Sequence, residues 1–194
     1  MKSKFLLTAL VLGACAFQAC ENTNRTSNDP DSLATTMVDS AEMAMADSMG
    51  MHNNDTASFM QKAAIGGMME VELGKLAQDK AKNAKVKEFG AMMVRDHTKA
   101  NAELKQLAQT RDVTLPTSYP EKDRAHVEEM KKLTGDAFDK HYMTMMVDDH
   151  VKTIELFKLA AKNSDVNISK FAAKTLPVLE THHKTATGIQ ASLK

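Results

Sequence analysis

From Ser58 to the end of the chain, apolar residues recur every three or four positions and no run alternates. That is the spacing of helices burying one face. Ser58-Phe59-Met60-Gln61 has the form of a capping box and predicts a first helix from Ser58 to about Lys82. Asn83 is placed to cap a second helix from Ala84 to about Thr110. The segment RDVTLPTSYPEK breaks the pattern with two prolines, after which Ser118-x-x-Glu121 opens a short helix that stops at Gly135. Asp136-x-x-Asp139 opens a long third helix reaching about Lys162. Asn163-Ser164-Asp165 then turns the chain into a fourth, running towards Leu193. The four long helices are each roughly 35–42 Å at 1.5 Å per residue. Residues 58–194 are therefore expected to form one all-α, four-helix bundle of two antiparallel hairpins, with a short extra helix between the second and third long helices. That connection is about 25 residues, enough either to turn back locally or to cross the length of the bundle.

Each apolar stripe is interrupted once by a polar residue. In the second helix Val86, Phe89, Met93, Ala100, Leu104 and Leu107 leave a gap that His97 fills. In the third, His150 stands between Met143, Met146, Val147 and Ile154, Phe157, Ala161. In the fourth, His182 stands between Thr175, Leu179 and Ala186, Ile189, Leu193. The first helix carries a stripe of small residues, Ala63, Gly66, Gly67, Gly74 and Ala77, with Glu70 in its middle. Glu72, flanked by Met69 and Leu76, is the rival acid. Small residues let a neighbouring helix approach closely, so a carboxylate there reaches the core. Buried imidazoles and carboxylates without partners cost a few kcal/mol each, so they must be satisfied. Either they close a network among themselves, or Glu70, His97, His150 and His182 share a transition metal, for which Fe, Zn, Cu and Mn all qualify. Asp96 and Asp149 lie about 100° round the helix from their neighbouring histidines. They are cast as acceptors orienting a histidine of another helix, a role that serves either solution. His52, His126 and His141 fall outside the stripes and read as surface or loop residues.

Two repeats accompany this pattern. MMVRDHTK at 92–99 returns as MMVDDHVK at 145–152, and ELGKLA at 72–77 returns as ELFKLA at 155–160, which suggests a doubled hairpin. The methionine pairs Met68-Met69, Met92-Met93 and Met145-Met146 are adaptable core filler. Pro177, inside the fourth helix, is expected to kink it or to mark its effective start.

Composition changes the picture mainly at the N-terminus. Lys2 and Lys4 precede an apolar run from Phe5 to Ala14, the layout of a secretory signal. The run is too short for a bilayer core, which needs roughly 20 residues. Cys15 and Cys20 are the two cysteines of the chain, so the helical domain holds no disulfide. Residues 1–19 read as a lipoprotein signal with Cys20 as the acylated residue; Cys15, preceded by Leu12-Gly13-Ala14, is the alternative. Residues 20–57 read as an acidic, Met-rich flexible tether, with seven acids against Arg25 alone between Glu21 and Ser58. Its Met49-Gly50-Met51-His52 offers soft donors that suit Cu(I), or contacts the domain loosely. The expected place is the bacterial cell envelope, the domain in the periplasm and the lipid in the outer membrane in preference to the inner. The membrane is thus the one partner the sequence names; no protein partner can be read. Net charge is zero, tryptophan is absent and no basic face is concentrated, which excludes nucleic acid. No nucleophile, glycine-rich loop or oxyanion hole can be read, so the chain points away from a hydrolase and from enzymes generally.

The strings GGMMEVELGKLA, VKEFGAMMVRDHTKAN, FDKHYMTMMVDDH and TLPVLETHH resemble domain-of-unknown-function family 4142, bacterial envelope proteins with a ferritin-like four-helix fold. The match runs from about Ser58 to Leu193, and the signal ending Phe-Gln-Ala-Cys is similar to Bacteroidetes-type lipoproteins. The resemblance implies a ferritin-like bundle with Glu70, Asp96, His97, Asp149, His150 and His182 as characteristic positions, and it implies no activity. Di-iron bundles of that fold carry Glu-x-x-His on two helices. Here Val94 and Val147 stand three residues before His97 and His150. Only Glu180-x-x-His183 fits, and it uses the neighbour of His182. Iron storage is therefore not expected, and Glu72, Glu180 and His183 join Asp96 and Asp149 as a surrounding polar network. The alternative to a metal protein is an interaction or stress-protective envelope module in which the Asp/His network is structural.

Overall fold

The computed structural model describes the backbone of residues 32–193 and the side chains of residues 55–193. The signal, Cys15 and Cys20 lie outside the described residues, as do the side chains of the Met-rich stretch. Among the described residues there are five helices and no strand: α1 Ser32–Lys80, α2 Ala84–Gln109, α3 Glu121–Lys132, α4 Gly135–Ala160 and α5 Val166–Ser192. The description below concerns Glu42–Lys194.

Two helix starts obey the side-chain chemistry of the sequence and three do not. Asn83 Oδ1 accepts the Lys85 amide at 2.9 Å and starts α2. Asp165 accepts the amides of Asn167 and Ile168 and starts α5, while Arg111 grips its carboxylate with two bonds of 2.6 and 2.5 Å. The short helix lies where expected, but Pro120, not Ser118, is its cap residue. The capping box at Ser58 is not made: α1 runs through it from Ser32. Gln61 donates to the Thr114 carbonyl at 3.4 Å instead of turning back. Alanine, methionine and glutamate between Ser32 and Asp55 are good helix formers, and no proline stops the helix there. At the α4 start Thr134 makes no side-chain cap. Asp139, expected to open that helix, is 2 % exposed and accepts the amides of Lys82 and Asn83 at 3.1 and 2.8 Å. It thereby satisfies the α1–α2 turn from a different helix. Pro177 does not mark a start, since α5 begins at Val166 and continues through it.

Contacts fix the topology. Gly74 lies on Gly90 and Gly67 on Asn101, so α1 and α2 are antiparallel. Phe59 packs on Phe157, while Asp139 meets the far end of α1, so α4 is also antiparallel to α1. Helices α2 and α4 are therefore parallel, and residues 110–134 must cross the length of the bundle. This settles the connection in favour of the long, ferritin-like crossover. Glu72 fastens it: the carboxylate accepts from Tyr119 and pairs with Lys131 at 2.9 Å. Asp112, at φ 51, ends α2 in the left-handed region that aspartate tolerates, and the Val113 amide returns to the Ala108 carbonyl at 3.0 Å.

The core falls into two apolar clusters stacked along the bundle. One gathers Leu73, Phe89, Met93, Phe138, Tyr142, Met146 and their neighbours. The other gathers Phe59, Leu104, Phe157, Ile168, Phe171 and Leu179. The polar residues that interrupt the stripes lie between them on every long helix.

The α1–α2 approach needs glycine. A Cβ on Gly74 would stand 2.7 Å from the Gly90 carbonyl oxygen and 3.0 Å from Val94. Gly74→Ala is expected to lower stability by about 1–3 kcal/mol despite better helix propensity. Gly66→Ala meets nothing within 4 Å and should be neutral or stabilising. Urea midpoints of the two variants check this; equal midpoints would refute the close contact.

Candidate metal centre

Each long helix sends one polar side chain to the layer between the clusters: Glu70 from α1, His97 from α2, His150 from α4 and His182 from α5. All four are buried, His150 and His182 at 1 % exposure. The three rings form a triangle with centroids 5.4 to 5.9 Å apart. One nitrogen of each lies within 4.8 Å of the other two.

Two tautomers follow from the bonds made on the far side of the rings. His150 Nδ1 lies 2.8 Å from the Met146 carbonyl, which can only accept, so Nδ1 carries the proton and Nε2 keeps a lone pair. His182 Nε2 lies 3.0 Å from Asp96 Oδ2 and donates to that carboxylate, leaving the lone pair on Nδ1. The freed atoms, His150 Nε2 and His182 Nδ1, are buried and have no partner among the described residues. His97 Nε2 and Glu70 Oε2 are in the same state. No hydrogen bond joins any two of the four groups; Glu70 Oε1 stands 3.8 Å from His150 Nδ1. The closed network that would satisfy them is thus not made, and each orphaned atom costs about 1–3 kcal/mol.

Burial also sets the charge. It pushes the His97 imidazole down to about 3, with His182 and His150 adding to the effect. It takes His150 down to about 4. His182 is lowered by burial, against the pull of Asp96. Glu70 is pushed up to about 8 by burial first and by the charge of Asp149 second. At neutral pH the centre therefore presents three neutral imidazoles, the form that binds metal, and a carboxyl that a cation would deprotonate.

The surrounding acids divide. Asp96 holds His182 and is itself held by Arg95, at 2.8 and 3.0 Å, which keeps its carboxyl below the usual range. Asp149 makes no hydrogen bond to a histidine; it pairs with Lys152 at 3.1 Å near the surface. Glu72 serves the crossover, and Glu180 is exposed. His183, about 100° round the helix from His182, lies half-buried and outside the three-ring triangle. The expected wider polar network thus reduces to Asp96, because the other acids find lysine, tyrosine or solvent nearer than the core. His126 and His141 form a separate pair 6.5 Å apart beside an outer groove. Tyr142 was not legible as part of the centre. Its hydroxyl is buried and partnerless, and burial first and the charge of Glu70 second raise its pKa well above the ordinary value. Its spacing of two helical turns before His150 is the signal that marks it.

Fold and site together define a four-helix bundle with three histidines and one carboxyl converging in its middle layer. The chain belongs to the family described as "Domain of unknown function (DUF4142)", which it matches over residues 39–189. That span contains Glu70, His97, His150 and His182. No curated protein and no solved structure matches the chain.

Proposed function

We propose that the domain holds a single transition-metal ion through His97, His150, His182 and Glu70, in an envelope protein anchored by a lipid on Cys20, or alternatively on Cys15. The observation that carries the reading is the gathering of three buried histidines, one ring nitrogen of each within 4.8 Å of the other two, every ring having an unpartnered buried nitrogen and Glu70 beside them an unpartnered carboxyl oxygen. A metal supplies the one partner that satisfies all of them. The Met146 carbonyl and Asp96 act as the outer acceptors that fix ring orientation and tautomer. Imidazoles with one carboxylate suit Zn, Fe, Cu and Mn, and the donor set holds one ion, not two. Di-iron sites use four carboxylates and two histidines; the single carboxyl here does not support ferroxidase chemistry.

Titrating the metal-free protein with Fe(II), Zn(II), Cu(I) and Mn(II) tests this. One ion per chain is expected for the wild type, with binding lost in His97→Ala/His150→Ala. Equal binding by both proteins would overturn the assignment. Absence of binding to either would leave the structural, partner-binding module as the reading.

A further inference from the structure

We propose that the metal keeps one coordination position open to a neighbouring small pocket, which admits an exchangeable ligand of two or three heavy atoms, a diatomic or a linear triatomic. This inference rests on the metal reading above and concerns what the metal is for. A cavity of about 40 Å³ adjoins the centre. Its lining includes Glu70, His97 and His150 together with Gly66, Gly67 and Asn101. Of the four unpartnered atoms on the histidines and Glu70, three belong to residues of its wall. The rest of the lining includes Leu104, Phe157 and Phe171, which offer no hydrogen bonds to a hydrated ion. At 10–15 Å³ for each water-sized sphere, the space holds about three such atoms.

Four protein ligands close a tetrahedral zinc site, but an iron, manganese or cobalt ion that takes five or six ligands has positions left for such a molecule. The route assigned to the ligand is an adjoining groove. Asn101 and Leu104 line both the cavity and an apolar outer groove of about 470 Å³ between α1, α2 and the crossover. Asn101 lies directly across Gly67, where a Cβ would fall 2.0 Å from its Oδ1. The glycine leaves the space that the Asn101 side chain occupies, which puts that side chain at the boundary shared by groove and cavity.

Gly66 supplies the test. It stands one turn before Glu70 on the same face, lines the cavity, and has nothing within 4 Å of where a Cβ would be. Gly66→Leu therefore fills the cavity without removing a metal ligand, and Gly66→Ala fills it in part. Azide is titrated into the cobalt(II)-loaded proteins and followed by the visible cobalt bands, with cobalt content measured in parallel. The wild type should show a saturable spectral change, weakened at least tenfold in Gly66→Leu and by less in Gly66→Ala, at unchanged cobalt content. Should the leucine variant not fold, the alanine variant still carries the comparison. Bound cobalt with no azide response overturns the open position and leaves the metal reading standing. Equal azide affinity in all three proteins overturns the cavity as its route. Failure to retain cobalt overturns the metal reading and this inference with it.

Discussion

Saturating metal is expected to raise the unfolding free energy of the wild-type domain by about 4 kcal/mol when free metal exceeds the dissociation constant a thousandfold. In His97→Ala/His150→Ala that increment should vanish. The informative quantity is the metal-dependent difference, because the metal-free variant changes two opposing terms at once. Removing the rings deletes two buried nitrogens that no protein group satisfies, a relief of about 1–3 kcal/mol each. It also leaves space where the rings packed, at a cost of similar size. Metal-free wild type and variant can therefore melt close together, whereas their metal-loaded forms cannot. Asp96→Asn gives a graded control: it keeps the shape but removes the charge that His182 donates to, so metal affinity should fall by about 10–100-fold. Thermal melts with metal and with chelator check both. An increment that survives the double substitution would show that the ion sits elsewhere.

The helical frame was legible because its signals are local. Asn83 and Asp165 cap through atoms two or three residues away, and the three-and-four spacing of Val86, Phe89 and Met93 needs no knowledge of the partner helix. The same logic placed His97, His150 and His182 inwards before any contact was known: each occupies a position that an apolar residue would otherwise fill, and all three are buried. What was not legible depended on distance across the fold. Asp139 looks like a helix opener in sequence, yet its carboxylate serves amides 56 and 57 residues away. The crossover follows only once α1 is seen antiparallel to both α2 and α4, because 25 residues suit either route. Asp149 shows the converse: its octet matches that of Asp96, but Lys152 is nearer to it than any histidine is. A repeated motif fixes a repeated helix face, not a repeated partner.

Glu70→Gln is expected to make the metal-free protein more stable at pH 8 while weakening its hold on metal. The Glu70 carboxyl is raised from 4.5 to about 8 by burial and Asp149. Between those values the unfolded chain has lost this proton and the folded chain has kept it. The stabilising contribution of the proton is therefore complete below about pH 4.5 and gone by about pH 8. At 1.36 kcal/mol per unit, the whole loss is about 5 kcal/mol as an upper figure, and glutamine, which cannot ionise, escapes it. His97 and His150 act in the opposite sense: with pKa values lowered to about 3 and 4, they contribute stability above their unfolded value that is lost as pH falls. Both proteins share that contribution, so it cancels in the difference between them. Urea denaturation in chelator at pH 5 and pH 8 should thus show the glutamine variant gaining on the wild type by several kcal/mol as pH rises. An unchanged difference would mean that Glu70 is ionised in the folded state. With metal present the order should reverse, because the ion takes the place of the proton on Glu70 and has no such partner in glutamine. A carboxyl that destabilises the metal-free fold at neutral pH, and is tolerated there, is what a site selected for binding a cation would retain.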